Sequence, residues 1–201
     1  MTEQSATKLV QQSRAAAEFE RQYERDADPW GYESNAYERA KYDATLAALP
    51  RARYGSALEI GCSIGVLTAQ LAPRCDHLVA IDFAETALTR ARTRLAQRPQ
   101  VEFRRLTLPD EYPPERFDLT LLSEVGYYWS WPDLRAAKER MIAGLTSGGH
   151  LLLVHWTPPI DDAPLNGDEV HEEFLHRNGN LLDHLGGQRL ETYRIDLFAR
   201  R

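Results

Sequence analysis

Between Ala57 and Asp82 the chain reads as two short apolar runs joined by a glycine loop and a helix, the second run ending on an acid. Ala57-Leu58-Glu59-Ile60 is strand-like, and Gly61-Cys62-Ser63-Ile64-Gly65 interrupts it. Val66 to Ala72 resumes with helical spacing at Leu67 and Leu71 until Pro73 stops it, and His77 to Ile81 is a second buried-strand run before Asp82. Strand, helix and strand within about 30 residues form a βαβ unit, whose crossover makes the two strands parallel. Parallel sheets need helices on both faces. The 201 residues supply one such α/β domain and not two of comfortable size.

In open parallel sheets ligands bind beyond the carboxyl ends of the strands, where Glu59, Gly61, Gly65 and Asp82 would lie. A glycine after the first strand lets the backbone turn sharply and approach a ligand, and the loop feeds a helix N-terminus with free N–H groups. An acid ending the second strand is placed to accept both hydroxyls of a ribose. The geometry points to a nucleoside without choosing one. Two other readings share the loop. Gly61 to Gly65 matches the G-x-S-x-G elbow of serine hydrolases, and His155, His171, His176 and His184 all follow Ser63. Against it, an elbow sits in a sheet that earlier strands have built, whereas the chain before Ala57 reads as helical. The remaining reading is a glycine turn with no ligand.

The rest of the chain narrows the class. A net charge of −6, with no basic run longer than Arg104-Arg105, gives no electrostatic reason to bind nucleic acid. The two cysteines, Cys62 and Cys75, do not make a disulfide framework, so reduced thiols in a cytoplasm are expected. The first residues hold no apolar signal region and no segment reaches about 18 apolar residues, so neither secretion by that route nor a membrane span is expected. With no C-x-x-C and no H-x-x-x-H, metal binding has no support.

Along the chain, Glu3 to about Asp26 is spaced as a helix, Asp28-Pro29-Trp30-Gly31-Tyr32 breaks it, and Asn35 with Glu38 fits a capping box for a helix ending near Leu49. After Asp82 the pattern predicts a helix over Glu85–Gln97, strands over Val101–Leu106 and Phe117–Ser123, and an aromatic loop from Glu124 to Trp131. A helix over Asp133–Leu145 capped by Gly148-Gly149, a strand over His150–Trp156 and a helix over Asp168–His176 follow. Leu181–Leu185 and Leu190–Ala199, with Gly186-Gly187 between them, predict a hairpin, so the seventh strand opposes the other six.

The pattern E-x-G-x-x-x-G followed by an acid ending the next strand resembles class I S-adenosylmethionine-dependent methyltransferases. Phe117 to Val125, Leu145 to Gly149 and Leu151 to His155 resemble that family's fourth strand, pre-strand turn and fifth strand. Asp28 to Tyr32, Tyr37 to Tyr42 and Glu124 to Trp129 are similar to the NodS-like branch, whose named member N-methylates a glucosamine end of a chito-oligosaccharide. Ser63 stands where the family's middle glycine is usual, and no acid stands at Leu106-Thr107, where many relatives place one against adenine.

The resemblance implies a Rossmann-like sheet of seven strands, mostly parallel with strand 7 antiparallel, and helices on both faces. Residues 1–50 would form a helical lid and residues 51–201 the methyltransferase domain. It implies S-adenosyl-L-methionine as cofactor, held by Glu59, Gly61, Cys62, Ser63, Gly65, Asp82, Phe83, Thr107, Ser123 and Glu124. Trp30, Tyr37, Tyr127, Tyr128, Trp129, His155 and Trp156 would shape the acceptor pocket, their aromatic faces attracting a cationic group. His155 and Glu124 are the candidate catalytic side chains, His155 as a proton acceptor near neutral pH. The expected reaction is methyl transfer to a small-molecule amine or amino sugar, with a hydroxyl as the other acceptor, in a monomer or homodimer. An NAD-type oxidoreductase, a Ser63 hydrolase and a non-catalytic nucleoside-binding protein are the competing functions.

Overall fold

The computed structural model of the protein describes Arg14 and residues 16–201. Of the first expected helix, Glu3 to Ser13 and Ala15 lie outside them. What is described is α1, Ala16–Arg25, which presents the buried Phe19 and Tyr23 from one face, four residues apart. Its C-terminal end is tied down by Arg90, whose guanidinium donates to the carbonyls of Tyr23, Asp26 and Ala27. Next comes α2, Ala36–Ala47, whose N-cap Asn35 accepts from the Tyr37 N–H. Here the expected capping box is not made: Asn35 caps the Tyr37 N–H and not that of Glu38, and the Asn35 N–H goes to the Gly31 carbonyl. Glu38 turns inward to Lys41 instead of back to the Asn35 N–H.

The βαβ unit then follows as read: β1 (Tyr54–Ile60), α3 (Val66–Leu71) with a short 3₁₀ turn, and β2 (Cys75–Asp82). After it come α4 (Glu85–Arg94), β3 (Val101–Arg105), β4 (Phe117–Ser123), a 3₁₀ turn at Gly126–Tyr128, and α5 (Trp131–Gly144). The chain ends with β5 (Leu145–Trp156), α6 (Gly167–His176), β6 (Leu182–Arg189) and β7 (Tyr193–Arg200). One seven-stranded sheet runs β3-β2-β1-β4-β5-β7-β6, and β7 is antiparallel to both its neighbours, β5 and β6. Strand order reverses between β1 and β4, which fixes a crevice at their carboxyl ends.

Both faces of the sheet are buried, and the period-2 alternation of strands sorts the side chains between them. Leu58, Ile60, Leu151 and Leu153 join a cluster with α5 and α6, while Leu78, Leu119, Leu121, Leu152 and Val154 join one with α2 and α3. Two glycine pairs act differently from expectation. α5 ends at Gly144, and Gly148-Gly149 instead lies inside the long β5, where the register against β4 shifts. Gly186-Gly187 is not the hairpin turn either; β6 continues through it to Arg189. A Cβ on Gly187 would stand 2.1 Å from Asp196 Oδ1, so that glycine makes room for a carboxylate lying across the strand. Among the described residues, no helix is long and apolar enough to cross a membrane.

Candidate active site

Three adjoining cavities open at the carboxyl ends of β1, β2 and β4, and Tyr32 and Glu124 form walls common to all three. In the first, Gly61, Asp82, Phe83, Ser123, Leu106 and Leu108 face Phe19, Tyr23 and Trp30, contributed by α1 and the segment after it. The second is small and reaches Glu59, Cys62 and Ser63. Trp30, Glu38, Lys41, Tyr127, Tyr128, Trp156 and Ile160 line the third.

The glycine loop is held in left-handed backbone at Gly61, Ser63 and Gly65. Gly61 is needed for close approach as well, since a Cβ there would stand 2.2 Å from Val125 Cγ2. Gly65 serves packing: its Cβ position lies 3.0 Å from Ala91 and Leu95, against α4, and the residue lines none of the three cavities. A serine in this conformation is strained by about 1–3 kcal/mol unless its surroundings hold it. They do. The Ser63 N–H donates to Asp82 Oδ2 at 2.9 Å, and Ser63 Oγ accepts from the Tyr23 hydroxyl at 2.6 Å.

Asp82 also accepts from the Ala84 N–H at 2.9 Å. Burial raises its carboxyl to about 6, against the pull of the Ala84 and Ser63 N–H groups. A carboxylate has about four acceptor directions, so two hydrogen bonds to the loop leave room for a diol. Glu59 is more extreme. It is 2% exposed, its Oε2 has no partner, and burial pushes it up to about 8, with Asp82 adding to the effect and Thr68 opposing it. An orphaned buried oxygen beside the glycine loop suits a ligand that brings a donor or a cation. Burial also raises the Cys62 thiol, which leaves it a neutral wall and not a thiolate.

Glu124, itself left-handed, joins three elements. Its Oε1 accepts from Lys41 Nζ at 2.7 Å, and its Oε2 accepts from the Tyr127 hydroxyl at 2.6 Å and the Trp156 N–H at 3.0 Å. Lys41 is 3% exposed; burial lowers its pKa, but the Glu124 and Glu38 carboxylates outweigh that and hold it above its usual value. Around this ion cluster the rings pack edge to face or stacked: Phe19 on Tyr128 with centroids 4.8 Å apart, Tyr23 on Trp30 at 5.3 Å, Trp30 on Tyr32 at 5.7 Å.

Several expected site residues stand elsewhere. His155 is fully buried behind the wall, on the same face of β5 as Leu151 and Leu153, and lines none of the three cavities. Its Nε2 lies 3.1 Å from the Gly126 N–H, and a backbone N–H only donates, so Nε2 is the acceptor and Nδ1 carries the proton. Nδ1 therefore donates to His171 Nε2 at 3.1 Å, and His171 Nδ1 in turn donates to Asp196 Oδ2 at 2.6 Å. Burial lowers the His155 pKa well below its usual value, and His171 and Lys41 add to that. With both nitrogens occupied and the ring neutral, His155 positions the Gly126 turn and is not placed to take a proton from a substrate.

Thr107 is exposed and gives its N–H to Glu111, while the flanking Leu106 and Leu108 line the first cavity. Tyr37 stands behind Trp156, its ring edge-on at 5.8 Å and its hydroxyl on Thr192 at 2.8 Å. Trp129 lines the first cavity and not the third. The hydrolase arrangement is not assembled, since Ser63 Oγ is bonded to Tyr23 and His155 and His171 to each other. Among the described residues, no group of three or more His, Cys, Asp or Glu side chains is placed to hold a metal. Sequence pattern does not reveal the roles of Phe19, Tyr23, Glu38 and Lys41. For Glu38 and Lys41 the signal is present as an acid and a lysine three apart on a helix, a spacing usual for surface pairs.

A match to the family described as Nodulation protein S (NodS) covers residues 13–156. Nodulation protein S of Rhizobium tropici is 32% identical over 127 residues, 62% of this chain and 53% of that protein. The chain spans about half the length of the curated relatives it matches. Among solved structures, a candidate methyltransferase from Pseudomonas syringae is 38% identical, with 83% of this chain and all of the other aligned at a TM-score of 0.71. The N-methyltransferase NodS of Bradyrhizobium japonicum WM9, solved with S-adenosyl-L-homocysteine, aligns over 93% of this chain and 99% of its own at a TM-score of 0.81. At 24% identity that likeness speaks for the fold.

Proposed function

The chain belongs to the NodS family, and from that premise we propose that it is an S-adenosylmethionine-dependent methyltransferase acting on a small-molecule amine. The observation that carries this reading is the partition of one crevice by Glu124 and Tyr32. On one side lie the glycine loop, the unpartnered Glu59 oxygen and Asp82 with its spare acceptor directions; on the other lies an aromatic cavity with its own acids. The first side fits S-adenosylmethionine. Asp82 would hold the ribose, Phe83, Leu106 and Leu108 the adenine, and Glu59 with the loop the amino-acid end.

The cofactor, when bound, supplies a methyl group activated on a sulfonium. The protein's work is to align donor and acceptor at roughly 3–3.5 Å and to keep water out. Tyr23, Phe19 and Trp30 close the cofactor side, and Tyr127, Tyr128 and Trp156 wall the acceptor side, where ring faces favour a cationic group. On this reading residues 1–50 serve as the lid and residues 51–201 as the catalytic domain, in a cytoplasmic monomer or homodimer. A thermal-shift screen tests this choice of ligand. S-adenosylhomocysteine at about 100 times its dissociation constant should stabilise the protein by roughly 2.7 kcal/mol, while NAD should not. Stabilisation by NAD alone would replace the methyltransferase with an oxidoreductase.

A further inference from the structure

Glu38 faces the third cavity, beside Trp156 and Tyr127, and is only 8% exposed. Its hydrogen bonding is incomplete. Lys41 directs one bond to Glu38 Oε1 at 3.0 Å and another to Glu124 Oε1 at 2.7 Å. Glu38 Oε2 lies at 3.0 Å from the same ammonium, yet it receives no directed hydrogen bond and is sealed from bulk water. Such an oxygen has acceptor capacity left to fill.

The other polar groups of this cavity are spent. Glu124 already accepts from Lys41, Tyr127 and the Trp156 N–H. Lys41 is a cation, and burial raises the hydroxyls of Tyr32, Tyr127 and Tyr128, which leaves them donors and not bases at neutral pH. His155 lies behind the wall with both ring nitrogens engaged. Two carboxylates around one ammonium also leave the cluster with one excess negative charge, next to the rings of Trp30 and Trp156. That combination attracts an ammonium group and gives no comparable preference to a hydroxyl.

We infer that Glu38 is the catalytic base of this site, the group that takes the proton from the bound acceptor amine. The inference rests on the methyltransferase reading above. The Glu38 carboxylate would accept one N–H proton of the acceptor's ammonium and become a carboxylic acid, leaving the electron pair on nitrogen. That pair forms the new N–C bond as the C–S bond of the sulfonium breaks; the positive charge passes from sulfur to nitrogen, and a neutral thioether is left. Burial raises the Glu38 carboxyl above its ordinary value, against the pull of Lys41, which suits proton acceptance closer to neutral pH.

The test compares the wild type with Glu38→Gln and Glu38→Asp, using glucosamine and benzylamine as probes and glucose and benzyl alcohol as their hydroxyl counterparts. Glu38 lines neither of the cofactor-side cavities, so S-adenosylhomocysteine affinity, measured by calorimetry, should be unchanged in both variants and certifies their fold. Protein loaded with S-adenosylhomocysteine should bind the amines, and Glu38→Gln should weaken that binding about tenfold or more. With S-adenosylmethionine, kcat should fall by about 10²-fold or more in Glu38→Gln. The acid limb of its pH–rate profile should disappear, and Glu38→Asp should restore part of both. Wild-type kcat and an intact acid limb in Glu38→Gln would overturn the role of Glu38 while leaving the methyltransferase standing. Failure of the loaded wild type to bind either amine, or a preference for the alcohols, would overturn the amine-binding cavity. Failure of the wild type to bind S-adenosylhomocysteine would remove the premise as well.

Discussion

Glu59 ties the stability of this protein to pH in a direction opposite to that of most acids. Its folded-state carboxyl is raised from 4.5 to about 8, chiefly by burial. Between those two values the folded chain binds a proton at Glu59 that the unfolded chain does not, so this contribution to stability is present at low pH and is lost as pH rises toward 8. Each tenfold difference in proton affinity between the folded and unfolded chain corresponds to about 1.4 kcal/mol. From pH 5 to pH 8, after rounding off both ends of the titration, the loss is about 3–4 kcal/mol. Glu59→Gln keeps the shape and cannot ionise. The expected result is therefore a wild type that loses about 3–4 kcal/mol relative to Glu59→Gln between pH 5 and pH 8, read from urea unfolding midpoints at constant m-value. Comparing the pair cancels much of the pH dependence of the other groups, except the part through which Asp82 feels Glu59. Two curves that run parallel within about 1 kcal/mol across this range would refute the buried neutral acid.

Three further perturbations follow from the contacts. Tyr23→Phe removes the 2.6 Å hydrogen bond to Ser63; it should lower S-adenosylhomocysteine affinity by about 1 kcal/mol, roughly fivefold, in calorimetry, and an unchanged affinity would detach α1 from the cofactor side. His171→Leu strands the buried His155 Nδ1, while Asp196 keeps Arg194 and His184, so stability should drop by about 1–3 kcal/mol for the one buried donor left unpaired. The Gly126 amide should exchange faster with solvent in that variant, and protection equal to wild type would show that the histidine pair does not hold the aromatic turn. The contribution of His155 alone runs opposite to that of Glu59: it should weaken as pH falls below about 6.5, because the unfolded chain takes up a proton that folded His155, depressed by burial, resists. Gly61→Ala drives a Cβ to 2.2 Å from Val125 in a left-handed backbone and should destabilise by about 1–3 kcal/mol in the same unfolding assay; a neutral outcome would mean that the loop relaxes freely.

What sequence conveys about this fold is what local pattern can encode. The βαβ unit is visible because its strands are continuous apolar runs and its loop and helix are bounded by glycine and proline. β4 is found at Phe117–Ser123 for the same reason. The glycine pairs mislead because their cause is not local: Gly187 answers to Asp196 across the hairpin, and Gly148-Gly149 to a shift in β5 register. Asp82, Ser123 and Glu124 are legible as strand-end residues, since the end of a strand fixes where a side chain emerges. His155 deceives for a related reason, because one position along a strand changes the face it serves, and its face belongs to α6. Glu38 and Lys41 carry the pattern of a solvated helix pair; only the tertiary approach of α2 to Glu124 turns them into a buried cluster.

A calorimetric titration with S-adenosylhomocysteine decides whether the crevice bounded by Gly61 and Asp82 holds S-adenosylmethionine. The wild type should bind one molecule per chain. Asp82→Asn cannot accept from both the Ser63 and Ala84 N–H groups and also hold a ribose diol, so it should bind about 10–100 times more weakly, equivalent to roughly 1.5–3 kcal/mol. Saturable binding with that loss is the predicted result. No binding to the wild type, or equal affinity in a folded Asp82→Asn, would contradict it.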